Sequence, residues 1–203
     1  NFHADSSMRQ RRSVVNLALL FEGGLIVIAV AAGWLLGTPA FANLSLQMDA
    51  FAQGVAATLP ILLLLTPLAN RSRPLKNLRD FVSRQVLPLF KNASLVQLAV
   101  ISVLAGLGEE ALFRGVLQSW LVEQVGIYPG LILASIAFGL AHYVNRTYAL
   151  VATLIGLYLG WLYLVSGNLL VPVIAHALYD FVALIVLLRE GKRELSRSRI
   201  HSE

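Results

Sequence analysis

Two adjacent glutamates, Glu109 and Glu110, are followed by Arg114, and further on stand His142 and the pair His176 and Asp180. These side chains can carry protons, hold anions or ligate an ion. Each lies within a run of apolar residues, where a charge at bilayer centre costs about 2.5–3.5 kcal/mol, so each is a functional candidate by default. On a helix turning about 100° per residue, Glu110 and Arg114 share a face and can pair, while Glu109 points roughly 100° away. One carboxylate is thus neutralised while the other is free to face a cavity. Ser135, Phe138 and His142 share a face of another segment, which makes Ser135 and Phe138 the expected substrate contacts. His176 and Asp180 stand at i, i+4 on a third.

Peptide hydrolysis needs an activated water, a base and donors for an oxyanion. A carboxylate in a low-dielectric pocket is a better base than one in water, which suits Glu109 acting on a water held also by His142. Glu110 with Arg114 fixes the helix. His176 and Asp180 either bind the carbonyl oxygen or, with Glu109 and His142, complete a site for one divalent metal such as zinc. Without cysteine, thiolate sites and disulfides are excluded, so His, Glu and Asp are the remaining metal donors. Glu22 is a further buried-segment acid, left outside this core set.

The elements that must position these groups are membrane helices. Of 203 residues 57% are hydrophobic and only 13% charged, far from a soluble globule. Apolar segments near 14–36, 51–69, 95–120, 128–144, 148–166 and 169–188 predict about six transmembrane helices in an all-α bundle. Pro60, Pro67 and Pro172 read as kinks. Residues 1–13, in which Met8 reads as a natural start, form an N-terminal segment. Residues 14–94 hold two helices and a basic connector, 95–188 a four-helix catalytic core, and 189–203 a basic tail. Arg9, Arg11 and Arg12 before a long apolar run, with Ala40-Phe41-Ala42 behind it, imitate a signal peptide, but the run is too long and predicts an uncleaved anchor.

The net charge of +5 follows topology, with no basic stripe suited to nucleic acid. Arg71, Arg73, Lys76, Arg79, Arg84 and Lys91 fall between spans two and three, Arg146 between four and five, and Arg189, Lys192, Arg193, Arg197 and Arg199 after six. Alternate loops hold no Lys or Arg, so both termini are expected in the cytoplasm, with the protein in the inner (plasma) membrane. Leu78, Phe81, Val82, Val86, Leu89 and Phe90 recur at helical spacing beside Arg79, Arg84 and Lys91, as in an interfacial helix or a short helix in a basic loop. Gly156 and Gly160 form a G-x-x-x-G read as internal packing. His142 sits near the end of its span and Glu109 near mid-span, a mismatch of depth that predicts a tilted third span and a cytoplasm-facing cavity near Asn145 and Arg146.

Taken together, Glu109-Glu110-Ala-Leu-Phe-Arg114, Phe138-Gly-Leu-Ala-His142 and His176-Ala-Leu-Tyr-Asp180 resemble the motifs of the CAAX protease and bacteriocin-processing family over roughly residues 95–188. The resemblance implies an intramembrane endopeptidase, with Glu109 and His142 activating water and the third motif stabilising the oxyanion. Its substrate would be a membrane-anchored peptide or protein, prenylated or leader-bearing. Family members include metalloproteases, so a metal is implied without being required. The last motif position is often Asn, whereas Asp180 donates only when protonated, which leaves a protonated acid or a ligand open. Rival intramembrane chemistries fit less well: there is no H-E-x-x-H, no second membrane aspartate and no G-x-S-G. A bis-histidine haem site leaves the glutamates unexplained, and a proton-coupled transporter lacks an inverted repeat. A non-catalytic scaffold or bacteriocin-immunity protein that binds a membrane partner is the alternative from another class.

Overall fold

The computed structural model describes the backbone of residues 2–71, 73–86, 90 and 93–200, and the side chains of 15–63, 73, 75–77, 79–84, 90 and 93–189. Seven helices and no strand occur among them: α1 (Phe2–Leu36), α2 (Met48–Arg71), α3 (Arg73–Phe81, continued by a π turn at Val82–Val86), α4 (Leu95–Val125), α5 (Ile127–Ala141), α6 (Arg146–Ser166) and α7 (Leu170–Ile200). An all-helical answer is what a lipid solvent demands, because each helix satisfies its own backbone polar groups. Local sequence punctuates the run. Ser94 and Gln97 form a reciprocal capping box that opens α4. Asn145 caps α6 through the Tyr148 amide. Gly126 and Gly167 break the chain with φ of 91° and 62°, conformations that glycine adopts without strain.

All six expected apolar segments are helical, but they are not equal. Four described stretches are long and apolar enough to cross a bilayer unaided: Val15–Leu36, Leu95–Val125, Arg146–Ser166 and Leu170–Arg189. The chain is therefore a multi-pass membrane protein. The described apolar stretch of α2 is shorter, Met48–Leu63, and α5 has only 15 residues, about 22 Å at 1.5 Å per residue. His142 lies immediately beyond the last residue of the short α5 and is in contact with Glu109. Pro172 falls in the first turn of α7, where a missing N–H costs nothing, so it starts that helix without kinking it. Pro67 and the connector residues Leu78, Leu89 and Lys91 lie outside the described side chains, as do those of 1–14 and 190–203.

Helices α4 and α7 pack against each other and carry the rest: α1 and α5 lie against α4, α2 against α7, and α6 against both α5 and α7. A Cβ on Gly106 would stand 2.9 Å from the Val173 carbonyl and 3.0 Å from Ala177, so α4 and α7 touch backbone to backbone beside the ionisable groups. Contacts of Gly108 with Glu22 and Leu25, and of Gly33 with Val116, show that α1 and α4 run in parallel. The α1–α2 loop folds back into this seam. Ala40 is buried with Ala29, Ala111 and Val116, and its carbonyl lies so close to Gly115 that a Cβ there would clash with it. Exposed Leu17, Leu20, Val27, Leu150, Leu154 and Trp161 face the lipid, where apolar surface needs no cover.

Candidate active site

The site is built where α4 changes its winding. From Ala111 to Gln118 the helix is π-helical, directly after Glu109 and Glu110, a placement common at functional sites. The Ser119 hydroxyl donates to the Arg114 carbonyl at 3.0 Å, satisfying an acceptor at the disturbed turn. Widening does not separate Glu110 from Arg114: Nη1 donates to Oε1 at 3.0 Å with both residues fully buried. Arg114 Nη2 donates to the Gly156 carbonyl at 3.0 Å, and one turn later Gln118 Nε2 donates to the Gly160 carbonyl at 3.0 Å. Glycines leave these α6 carbonyls accessible, so the G-x-x-x-G serves internal packing and receives two polar side chains at matching pitch. The guanidinium also lies over the Phe138 ring at 4.5 Å.

Glu110 Oε1 accepts a second bond, from His176 Nδ1 at 2.7 Å. A carboxylate accepts only, so Nδ1 carries the hydrogen and Nε2 faces the other way. That nitrogen lies 3.9 Å from Glu109 Oε2 and 3.5 Å from Asp180 Oδ2, and Tyr179 stacks on the ring. His142 is oriented in the same manner. Its Nδ1 lies 2.9 Å from the Phe138 carbonyl, which can only accept, leaving Nε2 directed at Glu109 Oε2, 3.3 Å away. At that separation the two side chains are in contact without hydrogen-bond alignment, and Glu109 Oε2, in a residue only 8% exposed, has no hydrogen-bond partner among the described residues. The side chain of Asp180 is 31% exposed and is the most open member of the set.

All six expected chemical residues thus meet in one cluster drawn from α4, α7 and the end of α5. Their contacts form a chain, His142 to Glu109 to His176 to Asp180, with Glu110 and Arg114 behind it. Phe138 and Ser135 lie deeper than expected for substrate contacts. Phe138 is a buried wall against His142, His176 and Arg114, and the buried Ser135 hydroxyl donates to the Leu131 carbonyl at 2.7 Å. Among the described residues, no group of three or more His, Asp or Glu side chains is set to hold an ion, so no step below runs through a metal. Two more residues join the cluster, Gln118, which the sequence reading missed, and Glu22, which it named but left outside the core set. Gln118 continues the Glu110–Arg114 row by one more turn, a spacing that could have flagged it. Glu22 reaches the cluster from α1, which no spacing reveals.

The fold and site define a class: a polytopic helical membrane protein with a buried carboxylate–imidazole centre backed by a buried ion pair. Residues 91–182, which contain the whole cluster apart from Glu22, match the family described as Type II CAAX prenyl endopeptidase Rce1-like, so this stretch is similar to that family. It is 34% identical over 97 residues to a Bacillus subtilis (strain 168) protein named Uncharacterized protein YpbD, an alignment covering 46% of this chain and 47% of the relative. The chain therefore spans about half the length of that curated relative. No solved structure matches it.

Proposed function

We propose that this protein is an intramembrane endopeptidase that hydrolyses a peptide bond of a membrane-anchored substrate with a water activated by Glu109 and His142. The observation that carries the reading is the opposition of Glu109 Oε2 and His142 Nε2 at 3.3 Å. With His142 Nδ1–H committed to the Phe138 carbonyl, a neutral ring offers a lone pair at Nε2, so two acceptors face each other. Their natural complement is a water, which donates one hydrogen to each and turns an oxygen lone pair towards a third group.

In the reaction, the water oxygen bonds to the scissile carbonyl carbon while its proton passes to Glu109, and the carbonyl electrons move onto oxygen. When His176 carries both protons, its Nε2–H is the donor for that oxyanion, with Nδ1–H held by Glu110. Asp180, 3.5 Å from Nε2, orients this donor. As the oxyanion collapses, the C–N bond breaks and the departing amine takes the proton from Glu109, giving a free carboxyl and a free amine. Arg114 takes no part in bond changes: bonds to Glu110 and Gly156 make it the brace on which His176 is hung.

The substrate comes from the bilayer, the enzyme residing in the inner membrane with both termini in the cytoplasm, as the basic residues indicate. The test is cleavage of a panel of membrane-anchored peptides, prenylated and unprenylated, by the full chain in lipid discs. Glu109→Gln and His142→Ala should each lower turnover by about 100-fold or more, the usual size of a lost general base. Metal content and a chelator arm on the same samples decide whether an ion participates. Equal processing by wild type and both variants would end the proposal.

A further inference from the structure

Glu22 is the acid that the mechanism above does not use. It reaches the site because α1 runs against α4 at closest approach: a Cβ on Gly108 would stand 2.9 Å from the Glu22 carbonyl, one residue before Glu109. Glu109, Asp180, His176 and His142 all lie within electrostatic range of its carboxylate. Its Oε2 is buried and without a hydrogen-bond partner, as is that of Glu109. A buried carboxylate oxygen left unpaired is costly, so it is complete only when a donor arrives.

We propose that Glu22 lines a subsite beside the scissile bond and pairs there with a cationic side chain, Lys or Arg, of the substrate. The inference rests on the proteolytic reading of the same site and adds a charge preference to it. Cation is the matching chemistry because the local balance is acidic. Arg114 is spent on Glu110 and Gly156, which leaves Glu22, Glu109 and Asp180 facing two imidazoles. A neutral amide N–H would satisfy one oxygen, whereas an ammonium or guanidinium also meets the field of the other two carboxylates. Access is present on the α1 side: among the described residues, and apart from the helix's own backbone, no atom stands within 4 Å of a Cβ placed on Gly23 or Gly24. A peptide can therefore approach the helix next to Glu22. A basic side chain at this depth is otherwise expensive in a bilayer, so a carboxylate waiting for it converts a penalty into selection.

The test uses the full chain in lipid discs with lipid-anchored peptides in which a single Lys is moved along the sequence, each compared with its norleucine counterpart. In the wild type, one register of Lys should be favoured about tenfold in kcat/KM, carried by KM, since the pairing acts on bound substrate and not on the bond being broken. Glu22→Gln should bring the Lys to norleucine ratio close to one, and Glu22→Asp should keep part of it. Binding of the same peptides to the Glu109→Gln protein, read by fluorescence, should show the same Lys preference and the same dependence on Glu22. A ratio unchanged by Glu22→Gln, or a wild type indifferent to Lys at every register in both cleavage and binding, overturns the subsite. Lys preference in binding with no cleavage of any peptide retains the subsite and overturns the protease reading instead.

Discussion

At the scale of single residues, each side chain of the candidate site is defined by what holds its other end. His142 and His176 each have Nδ1 fixed by an acceptor, one a main-chain carbonyl and the other a carboxylate, so both present Nε2 to Glu109. Arg114 meets two acceptors and an aromatic face at once. Arg114→Ala should strand the Glu110 carboxylate and the Gly156 carbonyl, costing about 3–5 kcal/mol as for other broken buried pairs. A lowered thermal midpoint in detergent checks it. Arg114→Lys should recover only part of that stability, because a single ammonium cannot reproduce the planar fork. Equal midpoints for wild type and Arg114→Ala would refute the brace. All six candidate residues announced themselves in the sequence as ionisable groups in apolar runs.

At the scale of elements, the π segment of α4 and the glycines opposite it set the geometry. The i, i+4 expectation for Glu110 and Arg114 holds although the helix widens between them, because the pair forms at the segment's entry. The widening itself left no trace in the apolar pattern. Within it the α1–α2 loop lays the Ala40 carbonyl against Gly115, a contact between elements far apart in the sequence. Gly115→Ala should push that loop away, destabilising the bundle by about 1–3 kcal/mol, and a drop in both the melting midpoint and peptide turnover would register it. Ser119→Ala should remove the hydroxyl that meets the Arg114 carbonyl, a loss of about 1 kcal/mol, measurable by denaturation in mixed micelles. If turnover survives Gly115→Ala untouched, the loop is not a support of the site.

At the scale of the whole molecule, two unequal sets of helices bring the ionisable groups together. Long α4 and α7 pass through the bundle, and short α5 stops beside them, so its terminal His142 reaches Glu109 without an extra loop. The topology has a direct check, since the chain lacks cysteine. Cysteine placed at Asn145 should react with an impermeant maleimide from the cytoplasmic face, and cysteine at Leu46, exposed in the α1–α2 loop, from the opposite face. Reversal of the two would refute the orientation drawn from Arg and Lys. An Asn145 cysteine shielded from both faces would argue against water reaching the site near this turn.

The sequence alone determined that this chain lives in lipid, that its segments are helical, and which ionisable groups lie in its apolar runs. Those properties follow from local chemistry: transfer of apolar runs, satisfaction of the backbone and the penalty on buried charge. Only the tertiary structure decided that α5 is too short to span by itself, that α4 winds as a π-helix behind Glu110, and that Glu22 stands at the cluster. Each of these depends on how closely two backbones approach, at Gly106, Gly108 and Gly115, and a close approach belongs to the pair of helices that make it, not to the residue order of either.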